Sequence, residues 1–255
     1  MSGTGASRRV KEVAKEIQDG DTNVGFTGAG VSTASGIPDF RGEDGLWERY
    51  DPSAFRVGRF RSDPESFWET MLDVRRESFS TDPVPNPAHD ALTRMYDDGK
   101  MEAVVTQNVD GLHQASGVPD DAVVELHGNV ERVACEACGR RDDADEALER
   151  VDDLPPVCVS CGEPVKPDTV LFGERLPEGA LYRARELARN ADVVLVAGSS
   201  LTVEPAASIP RLAEGGGTTL VVVNFDPTPS SVSPDYEFNA DVTDILPAIA
   251  DEVSG

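Results

Sequence analysis

Apolar positions fall along this chain in two spacings that alternate with one another. Val10, Val13, Ala14 and Ile17 recur at helical intervals until Gly20, and VGFT (24 to 27) then reads as a strand running into a glycine loop. Further apolar runs of strand length are EAVVT (102 to 106), VVEL (123 to 126), DTVLF (168 to 172), DVVLVAG (192 to 198) and TTLVVVN (218 to 224). Most are continuous rather than alternating, which is the pattern of strands buried on both faces of a parallel sheet. Helical patterns lie between them at 87 to 97, at 178 to 189 with Leu181, Ala184, Leu187 and Ala188 on one face, and at about 243 to 253. Strands alternating with helices predict an α/β fold, a Rossmann-like doubly wound parallel sheet with its ligand at the carboxyl ends of the strands.

Two segments interrupt the alternation. Residues 43 to 84 are rich in Arg, Phe and Trp, and residues 131 to 167 hold all four cysteines. Together they read as a smaller helical and metal-binding unit. The predicted division is 1–44, 85–130 and 168–255 for the large domain, with 45–84 and 131–167 for the small one.

Composition narrows the function. Of 255 residues 47 are acidic and 23 basic, a formal net charge of −24, so much of the surface repels phosphate backbones and no direct nucleic-acid contact is expected. Lysine occurs only at 11, 15, 100 and 166, and the acidic surplus is spread along the chain. That distribution suits a protein kept soluble in concentrated salt, where screening removes most self-repulsion. The N-terminus MSGTGASRRV has no apolar signal-peptide core, and no apolar run exceeds strand length. A cytoplasmic protein without membrane contact is expected, with a monomer favoured.

Cys135-x-x-Cys138 and Cys158-x-x-Cys161 are separated by 19 residues, the spacing of a four-cysteine zinc ribbon. Gly139 and Gly162 each follow a pair and permit the tight turn of a knuckle. Four sulfur ligands leave no open position, so the zinc is read as structural; a redox pair or a nucleic-acid-binding ribbon are the competing readings.

Polar motifs follow the strands. TQNVDGLH (106 to 113) sets Gln107, Asn108 and Asp110 at a strand end, either to bind a carboxamide and ribose hydroxyls or to cap a turn. VELHGN (124 to 129) places His127 where a general base is useful, although a lone histidine is more often structural, as we read His89 and His113. GSSLTVEPA (198 to 206) is read as a turn into a helix opened by Pro205, offering N–H groups to phosphate, and VVVNFD (221 to 226) ends a strand with Asn224 and Asp226. TGAGVSTASGIPDFRG (27 to 42) starts as G-x-G-x-x-G but has Thr33 where the third glycine belongs.

GAGVSTASGIPDFRG, TQNVDGLH, ELHG, the two CxxC knuckles, VKPDTVLFGE (165 to 174), GSSLTVEPA and VNFD occur here in one order. That order resembles the zinc-binding sirtuins of archaeal or bacterial type, NAD-dependent protein lysine deacylases, over about residues 8 to 250. The resemblance implies that NAD, consumed as a co-substrate, and an acyl-lysine peptide meet between the two domains. The acetyl oxygen attacks the ribose carbon as nicotinamide leaves, His127 acts as base on the ribose hydroxyls, and lysine, nicotinamide and O-acetyl-ADP-ribose result.

Carried over by motif, Gly28, Ala29 and Gly30 approach the diphosphate, and Phe40 and Arg41 cover the reacting ribose. Ile37, Asn108 and Asp110 form the nicotinamide pocket, with Asn108 also placed in the catalytic set and Gln107 beside it. Gly198, Ser199 and Ser200 meet phosphate and ribose, and Asn224 with backbone near Val242 serves the adenosine end. VLFGE and LTVEP receive the peptide between them, Val170, Phe172, Gly173 and Val203 forming an apolar tunnel that suits a neutral acyl-lysine.

In FWETMLDVRRE (67 to 77) Met71 and Val74 stand where succinyl- and malonyl-removing members carry Tyr and Arg, so deacetylation is favoured, with Arg75 one register step away. Val31 for the usual Ile and Thr33-Ala34 for the common Ala-Glu are departures that remove no evident role. By family analogy alone an acetylated DNA-packaging protein is an attractive target. The alternatives are protein mono-ADP-ribosylation, a longer-chain or acidic-acyl deacylase, and a zinc-stabilised NAD-binding module without turnover.

Overall fold

A computed structural model describes residues 3–39, 45–78, 82–214 and 216–255. From the N-terminus, α1 (Gly3–Asp19) leads into β1 (Asn23–Thr27). Four helices follow, α2 (Leu46–Arg49), α3 (Val57–Ser62), α4 (Pro64–Ser78) and α5 (Pro87–Asp97), then β2 (Ala103–Thr106), the short α6 (Leu112–Ala115) and β3 (Val123–Glu125). The cysteine-bearing section comprises β4 (Gly128–Cys135), β5 (Arg141–Asp143), α7 (Ala144–Glu149) and β6 (Val165–Thr169). After it come α8 (Glu178–Asn190), β7 (Val193–Ala197), β8 (Thr219–Val223), β9 (Tyr236–Phe238) and α9 (Val242–Ser254).

Six strands form one sheet in the order β3-β2-β1-β7-β8-β9, all parallel. Every residue of β1, β2 and β7 is buried, as continuous apolar runs require in a sheet covered on both faces. Side chains of β7 part to the two sides: Leu195 packs with Ile17, Leu92, Leu246 and Ile249 beneath α1, α5 and α9, while Val194 and Val196 join Phe26, Leu187 and Ile209 beneath α8. Local signals start the helices: Asn86 and His89 form a capping box at α5, and the Asp241 carboxylate accepts from Thr243 N–H at α9. Strand order reverses between β1 and β7, so the loops that leave these strands open a crevice at the carboxyl edge.

A second sheet, β5-β4-β6, is antiparallel. The run 168–172, expected in the parallel sheet, goes here instead. Its first two residues end β6, paired Asp168 to Asn129 and Thr169 to Gly128. Val170 to Phe172 then leave the ladder, Phe172 bonding the backbone of Phe55 and Val57. A short apolar run is compatible with either sheet, and these residues are apolar because they face a cleft rather than a core. Consequently residues 128–129 and 168–169 pair within the small sheet, on the large-domain side of the boundaries that the sequence suggests.

α3 and α4 pack on this small sheet through Phe60, Phe67 and Trp68, against Val133, Val165, Ala144 and Ala147. The indole N–H of Trp68 donates to the Val165 carbonyl at 2.7 Å, so the buried ring has its polar partner. Pro205 does not open an α-helix as expected. Two 3-10 turns, Ala206–Ser208 and Pro210–Ala213, occupy that stretch, and a long-helix dipole is therefore not what its N–H groups offer. Among the described residues no helix is long and apolar enough to cross a membrane.

Candidate active site

At the switch point two glycine loops pack back to back. Gly28 N–H donates to Ala197 O at 3.1 Å and Gly30 N–H to Gly198 O at 2.9 Å. A Cβ at Gly28 would stand 2.8 Å from Gly198 O, and one at Gly30 would stand 2.9 Å from Gly198 Cα. One at Gly198, where φ is +61°, would lie 2.3 Å from Val31 N. These glycines are thus demanded by the neighbouring loop, a contact that the sequence does not announce. Two 3-10 turns, Ala29–Val31 and Thr33–Ser35, follow in place of a packed helix, which accounts for Thr33 where the fingerprint has glycine. Ile37 N–H closes this segment onto Ser32 O at 3.3 Å, whereas Phe40 and Arg41 lie outside the described residues.

Ser32, 1% exposed, is the hub of the polar cluster and was not singled out from sequence. Its hydroxyl donates to Asp110 Oδ2 at 2.7 Å and accepts from Asn108 Nδ2 at 3.0 Å. Asn108 N–H reaches Thr106 Oγ1 at 3.0 Å, and Asp110 Oδ1 accepts from Leu112 N–H at 3.0 Å. Asp110 therefore both caps a turn and anchors the Ser32 hydroxyl. Burial pushes its carboxyl above the usual range, against the pull of the Leu112 N–H and the Ser32 hydroxyl. The sequence carries little signal for Ser32, since Thr33 and Ser35 beside it also bear hydroxyls.

Gln107 Nε2 donates to Ser199 Oγ at 2.8 Å, tying the β2 loop to the β7 loop, and Ser200 Oγ meets Thr202 Oγ1 at 2.9 Å. Asn224 follows β8 with its amide on Asp226 O, and Val242, buried in the core, opens α9. His89 and His113 are structural: both are buried, with rings 5.0 Å apart. His113 Nε2 lies 2.8 Å from Thr27 Oγ1.

His127 follows β3 and immediately precedes β4. Its Nδ1 lies 2.8 Å from Gln107 O. A carbonyl only accepts, so Nδ1 carries the proton and Nε2 keeps a lone pair. Burial pushes the imidazole pKa below its usual value, with the bond to Gln107 O pulling the other way, and the neutral base form is favoured. The turn is fixed by Gly128: φ is +76°, and a Cβ there would stand 1.9 Å from the Asp168 carbonyl oxygen.

A cleft of about 740 Å³ opens at His127 and is lined by Val170, Phe172, Gly173 and Val203, all four of the residues expected to meet an acyl-lysine. Its other wall comes from α8 through Leu181, Tyr182 and Arg185, which sequence reading assigned only to a helix. Met71 and Val74 line a separate apolar pocket with Trp68, Val130 and Pro167. The Arg75 guanidinium is held by Asp145 at 2.7 Å.

The four cysteine Sγ atoms lie within 4.8 Å of one another, with closest approaches of 3.5 Å for Cys135 to Cys161 and for Cys138 to Cys158. All four are free thiols. Four sulfurs at Zn–S lengths of about 2.3 Å sit roughly 3.8 Å apart in a tetrahedron, so the donor set fits zinc in number, type and spacing. Gly139 and Gly162 take the expected left-handed turns at φ +74° and +78°. Cys135 ends β4, the strand that begins beside His127, and the cysteine cluster and His127 thus lie at opposite ends of one strand.

A family model described as the Sir2 family matches residues 28–205. An NAD-dependent protein deacetylase of Haloarcula marismortui is 49% identical over 245 residues, covering 94% of this chain and 93% of that protein. An NAD-dependent protein deacetylase 1 of Pyrobaculum aerophilum is 43% identical, with 96% and 94% covered. Among solved structures, a Sir2 protein with a p53 peptide and NAD+ superposes with a TM-score of 0.85 at 35% identity, covering 96% of this chain and 98% of that one. One with a deacetylated p53 peptide and 3′-O-acetyl ADP ribose also gives 0.85, at 36% identity, with 95% and 98% covered. The matched segment takes in the glycine loop, the Ser32 cluster, His127, the four cysteines and the cleft, and this chain belongs to the Sir2 family.

Proposed function

We infer that this chain is an NAD-dependent protein lysine deacetylase that turns acetyl-lysine protein, NAD and one water into lysine, nicotinamide and O-acetyl-ADP-ribose. The observation that carries the reading is the placement of His127: it lines the cleft together with Val170, Phe172, Gly173 and Val203 while its Nδ1 donates to Gln107 O. Nε2 is left to take a proton from a ribose hydroxyl. The neighbouring Ser32–Asn108–Asp110 cluster offers amide and carboxylate groups to the nicotinamide carboxamide. Gly198 to Ser200, with Gln107 on Ser199, supports the phosphate and ribose portion, and Asn224 and the start of α9 support the adenosine end.

Apolar walls favour an uncharged acetyl-lysine over a free ammonium, whose burial without a partner is costly. Zinc, when bound by Cys135, Cys138, Cys158 and Cys161, supplies no reacting position and holds the sheet that carries His127. Met71 and Val74 give an acidic acyl chain no cation, and the Asp145 carboxylate already occupies Arg75, so acetyl is the preferred acyl group. A DNA-packaging protein as target and a monomer in the cytoplasm rest on analogy and composition.

Incubating the protein with an acetylated peptide, with and without NAD, in low and high potassium chloride, and following products by mass spectrometry tests the reading. Deacetylated peptide, nicotinamide and O-acetyl-ADP-ribose are expected only with NAD. Deacetylation without NAD, or ADP-ribose labelling of protein with no peptide turnover, would overturn it.

A further inference from the structure

The cleft at His127 has a charged wall, and its charges are unequally satisfied. Five ionisable side chains besides His127 line it: Glu174, Arg175, Glu178, Arg185 and Glu204, with the phenol of Tyr182 among them. Glu174 pairs with Lys166 at 3.2 Å and also accepts from Leu171 N–H at 2.7 Å. Glu204 is paired with Arg211, and Glu178 with Arg175 at 3.8 Å. Arg185 has no ion pair and no hydrogen bond among the described residues, although it is half-buried in a protein whose acidic residues outnumber its basic ones by 47 to 23.

Most of the described arginines hold a carboxylate, whereas Arg185, half-buried on its helix, keeps all five donors available. Helical spacing puts Glu178, Leu181, Tyr182 and Arg185 on one face of α8, with Leu181 and Tyr182 between the cation and the start of the helix. Tyr182 is 68% exposed and stands three residues before Arg185, the spacing of side-chain neighbours on one helix face. His127 and this face of α8 line the same cleft.

Building on the deacetylase reading above, we propose that Arg185, with Tyr182 beside it, is a specificity-determining subsite that selects acetyl-lysine peptides with an acidic residue flanking the modified lysine. The flanking carboxylate receives the guanidinium, and the aliphatic part of the flanking residue lies on the Tyr182 ring. Of the three acids on the wall, Glu174 and Glu204 are countered by Lys166 and Arg211, and Glu178 stands two helical turns from Arg185 beside the exposed Arg175. Lysine-rich flanks meet an unpaired cation instead.

The test is steady-state kinetics on acetyl-lysine peptides of one length, flanked by glutamate, alanine or lysine, with NAD saturating and salt held at the lowest concentration that keeps the protein folded. The wild type is expected to show a KM about fivefold lower for the glutamate-flanked than for the lysine-flanked peptide, the upper range for a partly exposed ion pair, at similar kcat. Arg185→Ala erases the order, Arg185→Glu inverts it, and Arg185→Lys keeps part of it. Arg189→Glu, on the same helix but outside the cleft, alters net charge equally and leaves the order as in the wild type. Added salt compresses the difference.

A wild type that turns over all three peptides without this order, or an Arg185→Glu protein with the wild-type order, overturns the subsite and leaves the deacetylase reading standing. A wild type that turns over none of them with NAD present overturns both.

Discussion

The parallel sheet and the small antiparallel sheet meet beside His127, but different forces hold them. β1, β2 and β7 are buried at every residue between two helical layers. β4 is only alternately buried, and β5 exposes two of its three residues. The first sheet draws its stability from apolar burial, about 25 cal/mol per Å² removed from water. The second has a small core around Phe67 and Trp68, four thiolates at one end and the Gly128–Asp168 seam at the other. The glycine loops thus stand on a rigid sheet edge, whereas His127 depends on a strand whose far end carries the four-cysteine cluster.

The largest expected effect separates the two sheets directly. Chelation, or Cys138→Ser, should unfold the small sheet, because structural zinc contributes apparent binding energies on the order of 10 kcal/mol to small ribbon units. Trp68, now 3% exposed, should shift its fluorescence to the red and deacetylation should cease, while circular dichroism retains the parallel-sheet signal. Trp68 emission and turnover that survive removal of the metal would show that the small sheet stands without it.

Next in size is the seam. Gly128→Ala should cost about 4 kcal/mol or more, since its Cβ would collide with Asp168 O at 1.9 Å and a positive φ is strained for alanine. Gly139→Ala shares the positive φ but meets nothing within 4 Å and should cost only about 1 to 2 kcal/mol. Urea unfolding of the pair measures the difference, and equal losses would mean that the contact at the seam does not matter.

Acid sharpens the comparison from the other side. Burial pushes the pKa of His89 down to about 4, and burial together with His89 pushes that of His113 down to about 3. Unfolded imidazoles take protons near 6.5, so below that pH the unfolded chain binds more protons than the native one. Stability from these two residues is complete above pH 6.5 and is lost as pH falls toward 4 and then 3, about 3 kcal/mol for His89 and about 5 kcal/mol for His113 at full extent. Replacing both with Gln should flatten this loss in calorimetry between pH 6.5 and 4.5, and an unchanged slope would assign it elsewhere. The smallest effect belongs to the surface: Arg8→Ala removes the exposed pair with Glu12 and should alter stability by less than about 0.5 kcal/mol.

How far the sequence reached follows the same division. Five of the six parallel strands were readable because apolar runs and helical stripes recur, whereas the three-residue β9 offers no such run, and the zinc knuckles were readable because four like ligands with fixed spacing have few other uses. The run 168–172 was misplaced because apolar residues that face a cleft look like residues that face a core. Gly28, Gly30 and Gly198 were visible as glycines, but the reason for them, one loop against another, depends on strands more than 160 positions apart in the chain. Ser32 and the α8 wall with Arg185 escaped because their roles arise from what the fold places opposite them.

The central claim, that the start of β4 seats His127 as the base of an NAD-dependent deacetylase, is tested most directly by comparing wild type with His127→Ala on an acetylated peptide with NAD. Both proteins are checked for equal zinc content and circular dichroism. Loss of at least about 10²-fold in turnover with an unchanged fold is the predicted result. Turnover near the wild-type rate in the alanine variant would contradict it.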